Sequence, residues 1–313
     1  MVALHRYKVQ NLYIRFFDVG YKEAYGPLPE AKQDMRWRDG IFYMPNSDSV
    51  IRETMTNMNL IPTVYIQNKV LKRVTANGLD SLAANIVYLI KKHYDEKMNH
   101  DLSSLKEIQI DCDWTESTQA AYFSLLKAIR RYAKTALSCT LRLYPYKYPE
   151  KMGVPPVDRV SLMCYNLLNP FEEKERNSIL DKDELRKYLK TNLAYPLPLD
   201  IALPLFAWMH IYQYNQLVAM EPLSDQLMQL AEHKHALWYK LKRDTVWGSH
   251  YFRKGDDVKI ERVDYTTLMQ TLEYISEEVP LKEGFRLTLF HLDENTLKRF
   301  THAEIHSVFN AFN

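Results

Sequence analysis

Glycine is scarce in this chain, with only 8 in 313 residues, and no glycine-rich turn follows the first strand-like segment. Loops that cradle phosphates need such turns, so nucleotide and dinucleotide cofactors are disfavoured. Cysteine is scarcer still, at 3 residues: Cys112, Cys139 and Cys164. An odd count without a Cys-x-x-Cys pair or a close histidine spacing disfavours a disulfide framework and a zinc site. All three fall inside expected strands and read as buried free thiols. No apolar run approaches the roughly 18 residues of a membrane helix. No secretory leader is visible after Met1, although a removed leader would look the same. Neither sign of charge dominates: 41 Lys+Arg against 39 Asp+Glu give +2. That lacks the basic excess of a nucleic-acid protein.

What remains is an ordinary globular composition, 46% hydrophobic and 26% charged. Aromatics are plentiful, with 22 Tyr and 5 Trp. Their flat faces with a polar handle suit sugar rings as well as cores.

Period-two alternation marks strands at 9–17, 61–67, 107–114, 137–144, 159–166, 199–206 and 285–292. A further strand is expected within 247–253 or 258–263. Helical spacing marks 79–93, a segment opening near Thr115, 181–189, 223–237 and 265–279, with a short helix closing the chain. Asp181 to Glu184 reads as a capping box. Residues 20–48, with Gly20, Gly26, Pro27, Pro29 and Pro45, read as an extended loop. Strands alternating with helices imply a parallel sheet, and eight repeats suggest closure. The expectation is an α/β fold, a single-domain (β/α)8 TIM barrel over 1–313, with a loop-rich insertion at 19–58 and a second insertion at 209–260. An open doubly wound sheet is the runner-up.

The most informative stretch is Glu107-Ile-Gln-Ile-Asp-Cys-Asp-Trp114. Gln109, Asp111 and Asp113 share one face. In a β/α unit both faces are covered, and carboxylates pointing into a covered space need a reason. A barrel carries its active site at the C-terminal strand ends. The polar residues expected there are Arg15, Asp18, Gln67, Asn68, Asp111, Asp113, Arg142, Tyr144, Tyr165, Asn166, Trp208, His291 and Asp293. Asp200 joins them only if its strand begins at Tyr195 rather than Leu199. Neighbouring carboxyls raise one another's pKa, which suits a proton donor in glycoside cleavage. The plainer readings are internal ion pairs for Arg15, Arg142 and the aspartates, core packing for Tyr165 and Trp208, and a satisfied histidine for His291.

Several segments resemble an uncharacterised family of barrel proteins related to glycoside hydrolases, common in Bacteroides-type bacteria. They are Leu12-Tyr-Ile-Arg-Phe-Phe-Asp18, Ile61-Pro-Thr-Val-Tyr65, Ile108-Gln-Ile-Asp-Cys-Asp-Trp-Thr115, Gly153-Val-Pro-Pro-Val-Asp-Arg159, Asn177-Ser-Ile-Leu-Asp181, Tyr195-Pro-Leu-Pro-Leu-Asp200 and Phe290-His-Leu-Asp293. The resemblance implies the barrel, and a periplasmic or cell-surface location. The every-second-residue ladder Glu107, Gln109, Asp111, Asp113 is also similar to the acid ladder of chitinase-type barrels. There the last member is a glutamate acid; here it is Asp113. By that analogy Asp113 is the proton donor and Asp111 its pKa-setting neighbour.

The expected function is therefore glycoside-hydrolase-like, acting on a poly- or oligosaccharide. Asp113 and Asp111 are the catalytic pair. Arg15, Asp18, Arg142, Tyr144, Tyr165, Asn166, Asp200, Trp208, His291 and Asp293 are the candidates for substrate binding. No cofactor and no metal is implied, and a monomer without nucleic-acid partners is expected. The alternatives are a non-catalytic glycan-binding barrel and a metal-dependent hydrolase, whose hard cation would use Asp111, Asp113 and Asp293.

Overall fold

A computed structural model describes residues 7–30, 36–38, 41–43, 50–51, 58–96, 101–190, 194–247 and 250–312. In chain order the first strands are β1 (Asn11–Lys22), β2 (Gly26–Glu30), β3 (Arg36–Arg38), β4 (Ile41–Tyr43), β5 (Val50–Ile51) and β6 (Asn59–Ile66). Then come β7 (Glu107–Asp111), β8 (Ala136–Leu141), β9 (Arg159–Met163) and β10 (Leu199–Pro204). They are followed by β11 (Ala207–Gln213), β12 (Gln216–Pro222), β13 (Ala231–His235), β14 (Trp238–Leu241), β15 (Thr245–Trp247), β16 (His250–Phe252), β17 (Asp257–Arg262) and β18 (Leu287–Phe290). The chain divides into two compact units. The first is Met1–Met163, Thr191–Ile201 and Val279–Leu287; the second is Cys164–Lys190, Ala202–Glu278 and Thr288–Asn313.

The fold is mixed α/β, built on an eight-stranded sheet of order β18-β10-β9-β8-β7-β6-β1-β2. β2 is its antiparallel member, a hairpin partner of β1. The pairs from β1 to β9 are parallel. Backbone bonds Ile201 N to Arg286 O and Leu205 N to Phe290 O advance together, so β10 and β18 run parallel too. This matches the strands expected from alternation, except the one sought within 247–253 or 258–263, which is absent from this sheet. The expected loop at 20–48 begins instead as strand: β1 runs on to Lys22 and turns at Gly26, φ 73°, into β2. Pro27 and Pro29 hid that strand. Proline is tolerated there because β2 is at the sheet edge. β3, β4 and β5 form a small antiparallel sheet. The rest of the 19–58 region lies outside the described residues.

Helices Ala76–Glu96 and Gln119–Ala133 pack against each other in the first unit. Each buries one apolar stripe, Leu79, Leu82, Ala83, Ile86, Val87 and Ile90 on one, Tyr122, Leu125, Leu126 and Ile129 on the other. Each buried Leu, Ile or Val among them contributes about 1.5–3 kcal/mol. Thr115 caps a short 3-10 turn, Glu116–Thr118, that leads into the second helix. Lys134, φ 55°, ends that helix in the left-handed region.

The second unit holds an antiparallel sheet of order β12-β11-β17-β14-β13, the hairpin β15–β16, and helices Lys182–Leu189, Tyr265–Glu278 and His302–Phe309. Asp181 caps the first of these by accepting from Glu184 N at 2.9 Å. Met209 and Ile211 of β11 and Val258 and Ile260 of β17 face a core with Leu227, Leu241 and Phe252. The helix expected over 223–237 is only Asp225–Gln229; the remainder pairs as β13 with β14. Cross-strand pairing has overridden an apolar spacing that also fits a helix. The opposite face of β11 and β17 carries His210 opposite Lys259 and Trp208 opposite Glu261. Lys259 and Glu261 are fully buried. Lys259 Nζ meets Glu261 Oε1 at 2.5 Å and donates to the carbonyls of Glu173 and Arg176 at 2.8 and 2.9 Å. Glu261 also accepts from Ser178 N at 3.1 Å and from Ser178 Oγ. The buried ion pair thus pins the segment 173–178 to the sheet.

Candidate functional site

In the first unit, one row of residues crosses the sheet in register. Asp18 lies opposite Tyr65, and Tyr65 opposite Asp111. Thr140 of β8 donates to Asp111 and lies opposite Ser161 of β9. A bulge sets this row. Arg15 pairs with Thr63 and Phe17 with Val64, leaving Phe16 as the extra residue. In a regular strand residues three apart point to opposite faces; the bulge returns Arg15 and Asp18 to one side. Arg15 then grips Asp18 through two bonds, Nε to Oδ1 at 2.6 Å and Nη2 to Oδ2 at 2.8 Å. Its guanidinium lies 4.6 Å from the Tyr65 ring centre. Asp18, expected just past a strand end, is inside β1 and fully buried, so its carboxylate anchors Arg15.

Asp111 ends β7 and is half-buried; Asp113, two residues on, is exposed. Burial pushes the Asp111 carboxyl up, and the charge of Asp113 adds to that. The Thr140 hydrogen bond, 2.7 Å to Oδ1, and the guanidiniums of Arg15 and Arg142 pull the other way without cancelling it. Arg142 Nε is 3.7 Å from Asp113 Oδ1, and both side chains are more than a third exposed. Burial also raises the phenol of Tyr65, helped by Asp113 and Asp111. The expected strand face of Thr140, Arg142 and Tyr144 ends early. β8 stops at Leu141, and Arg142 leads into a short helix, Leu143–Lys147. Pro145 cannot continue a ladder but fits a first helical turn. Tyr144 is 43% exposed on that turn, with its ring 4.8 Å from that of Tyr148. Cys112 and Cys139 are buried and unbridged, as is Cys164 in the second unit.

Asp200 is not with them. Its strand begins at Leu199, so Asp200 is at the entry end of β10 and 2% exposed. Arg159 Nε is 2.8 Å from Asp200 Oδ2, and Arg286 N donates to Oδ1 at 2.8 Å. Arg286 also bonds Glu107 at 2.6 Å and Tyr13 at 2.8 Å. Burial raises the Asp200 carboxyl and lifts the Tyr13 phenol to about 12. This is an internal network at the strand starts, and Asp200 as a substrate ligand is corrected accordingly.

In the second unit, Tyr165 is buried and stacks on Phe290 at 5.3 Å and 5°. Phe206 meets both edge-on, at 6.0 and 5.7 Å. Trp208 lies beyond the β10 exit, on β11, half-buried and 6.2 Å from Phe206. His291 is 6.1 Å from Phe206, nearly parallel, and its Nε2 is 3.0 Å from Asp293 Oδ2. Asp293 also accepts from Thr296 N at 2.8 Å. Despite burial, these hydrogen bonds bring the Asp293 carboxyl down to about 2. Asn166 follows β9 in the left-handed region, φ 53°, exposed, with its N–H on Ile179 O at 2.7 Å.

The sequence reading passed over Tyr65, Phe206 and Phe290. Tyr65 was available from alternation, since Thr63, Tyr65 and Gln67 share a face. Phe206 and Phe290 carry no polar group that would mark them. Among the described residues no group of three His, Cys, Asp or Glu is arranged to hold a metal ion. No described helix is long and apolar enough to cross a membrane.

No family model and no curated protein matches the chain. Solved structures do. The spore cortex-lytic enzyme SleL of Bacillus cereus matches with a TM-score of 0.53 at 13% identity, over 98% of this chain and 68% of that one. SleL of Bacillus megaterium matches at 0.52 and 11%, over 88% and 65%. A chitinase of Chromobacterium violaceum matches at 0.53 and 10%, over 97% and 93%. At such identities the likeness is one of fold alone, the mixed α/β architecture with its largely parallel eight-stranded sheet.

Proposed function

We propose that the chain is a glycoside-hydrolase-like protein acting on a poly- or oligosaccharide through the carboxyl pair Asp111 and Asp113. One observation carries the reading: a half-buried carboxyl with raised proton affinity next to an exposed one, at the exit end of a central parallel strand. In this reading the sheet closes as a (β/α)8-like barrel in which the antiparallel β2 stands where an eighth parallel strand would be, and residues 209–260 are an insertion in it. The resemblance to Bacteroides-type barrels adds a periplasmic or cell-surface location.

The two aspartates divide the work. Asp113, exposed, reaches the ligand as the proton donor, and Asp111, whose proton affinity burial raises, is its carboxyl neighbour. As the bond from the anomeric carbon to the leaving oxygen breaks, the pair supplies a proton to that oxygen. Water then adds its hydroxyl to the anomeric carbon and returns its second proton to the pair. Thr140, Arg15 and Arg142 tune the proton affinity. Asp200 is committed to Arg159, so the cationic sugar is stabilised by another carboxylate or by a substituent of the sugar itself. In the second unit Tyr165, Trp208, Asn166, His291 and Asp293 are a separate set of candidate sugar contacts, with the aromatic faces suited to a pyranose ring.

Hydrolysis of a glycan panel by wild type, Asp113→Asn and Asp111→Asn tests this. Turnover by wild type, reduced at least about a hundredfold by either change, is expected. Turnover kept at the wild-type level in Asp113→Asn would sink it. The second reading, a glycan-binding protein without turnover, is favoured by the guanidinium of Arg142 beside Asp113. Glycan binding by wild type with no hydrolysis in any arm would select it.

A further inference from the structure

We propose that the hairpin tip at Tyr214 is a saccharide-binding platform, with Arg253 as its hydrogen-bonding neighbour and Tyr251 as a second ring face adjoining it. The inference rests on the carbohydrate reading above and adds a second place where a neutral polysaccharide chain is held. All of these residues belong to the second unit. Strands β11 and β12 are joined by two residues, Tyr214 and Asn215, between the paired ends Gln213 and Gln216. Both have left-handed backbones, φ 50° and 62°. Such tight turns favour asparagine, aspartate or glycine, and a bulky side chain there costs conformational energy. Tyr214 does not offset that by burial, because it is 86% exposed. Backbone outliers of this kind cluster where a function needs the side chain.

The ring is tethered. Arg253 Nη1 donates to Tyr214 Oη at 2.6 Å, and its guanidinium carbon lies 5.6 Å from the ring centre. Arg253 N and Gln213 Nε2 both donate to Asp256 Oδ2 at 2.7 Å, so one carboxylate ties the hairpin tip to the turn after β16. Gln213 Nε2 also donates to Tyr251 O at 3.2 Å. Tyr251 is 54% exposed and pairs with the exposed Val246 across the β15–β16 hairpin. Its hydroxyl donates to Asp244 Oδ2 at 2.6 Å, and Asp244 Oδ1 accepts from Lys254 N at 2.7 Å.

A lone exposed ring needs no explanation, but two exposed tyrosines tethered by their hydroxyls on adjoining turns do. A ring anchored at its polar end presents its flat faces, and these stack on the C–H face of a pyranose. The rest of the Arg253 fork has N–H groups to donate to sugar hydroxyls. Because the tethers already fix both rings, binding freezes few rotamers. The carboxylates of Asp244 and Asp256, which hold Tyr251 and the hairpin tip, stand against an acidic chain, so a neutral one fits better.

Depletion of the full chain from solution by insoluble polymers tests this. Two are neutral, one of β-linked N-acetylglucosamine and one of β-linked glucose, and a polygalacturonate gel is the acidic probe. Wild type is compared with Tyr214→Asn, Tyr251→Ala and Arg253→Gln. The expected result is binding of a neutral polymer, weakened about tenfold or more in Tyr214→Asn and less in the other two. Tyr214→Asn should melt no lower than wild type, since asparagine accepts the left-handed turn. A lower melt assigns the tyrosine to the fold and overturns the inference. So do neutral-polymer binding unchanged in Tyr214→Asn, tighter binding of the polygalacturonate, self-association of wild type that Tyr214→Asn abolishes, and hydrolysis by wild type without polymer binding. All of these leave the reading of Asp111 and Asp113 standing. Neither binding nor turnover of any saccharide by wild type overturns both.

Discussion

Thr140 Oγ1 donates a 2.7 Å hydrogen bond to Asp111 Oδ1 across the neighbouring strands β8 and β7. It is a neutral side chain that favours the ionised form of a carboxyl whose proton affinity burial raises. Thr140→Val keeps the shape and removes the donor. The Asp111 carboxyl then rises further. A carboxyl-carbon NMR titration reads this without any activity assay, and a fall in its midpoint contradicts the assignment.

Asp111 also has a consequence for stability. Its folded-state pKa lies above the unfolded value, so the native state binds the extra proton between the two. The cost is absent below the unfolded value, about 4, builds as pH rises from there towards the folded value, and is complete above it. Asp111→Asn escapes that cost and can still accept from Thr140. Its melting temperature should exceed that of wild type at pH 8 and converge with it near pH 4. A variant less stable at pH 8 contradicts the sign.

Asp293 runs in the opposite direction. His291 and Thr296 hold its carboxyl near 2, below the ordinary range. The associated stability is present above the unfolded value, about 4, and is lost as pH falls through the folded value, about 2. Allowing for partial exposure, Asp293→Asn should cost about 1–2 kcal/mol at pH 7 and almost nothing at pH 2, by urea unfolding.

The Lys259–Glu261 pair is fully buried. Lys259→Met leaves Glu261 charged and without its ammonium, at a cost of about 3–5 kcal/mol. Lys259→Met/Glu261→Leu should recover part of that loss, because the stranded charge is gone. Guanidinium unfolding of both variants measures the difference. A double variant no more stable than the single one contradicts this account of the pair.

The strands and helices of the parallel region were legible because each has a period that burial enforces. β7 was legible twice over: Ile108 and Ile110 fix one face, and Gln109 and Asp111 mark the other as the unusual one. The seventh strand was misplaced because β17 has the same alternation as a barrel strand, while its partners are β11 and β14. Alternation reports that one face is buried, not which neighbour buries it. Asp200 shows the same limit at a single residue. Six letters, Tyr195 to Asp200, leave its depth open by four residues, and only the ladder to β9 and β18 places it among Arg159, Arg286 and Glu107.

The sequence alone determined that Gln109 and Asp111 share a strand face, that the cysteines are buried thiols, and that the core is a largely parallel α/β sheet. These follow from periodicity, composition and local chain geometry. The strand expected to reach Trp114 stops at Asp111, leaving Asp113 beyond it. The tertiary structure decided which arginine meets which aspartate. The bulge at Phe16 turns Arg15 to Asp18, and the end of β8 at Leu141 brings Arg142 to 3.7 Å from Asp113. It also decided that burial raises the proton affinity of the Asp111 carboxyl. Proton affinity depends on desolvation and on charges brought close by other strands, and neither is written in the spacing of residues along one strand.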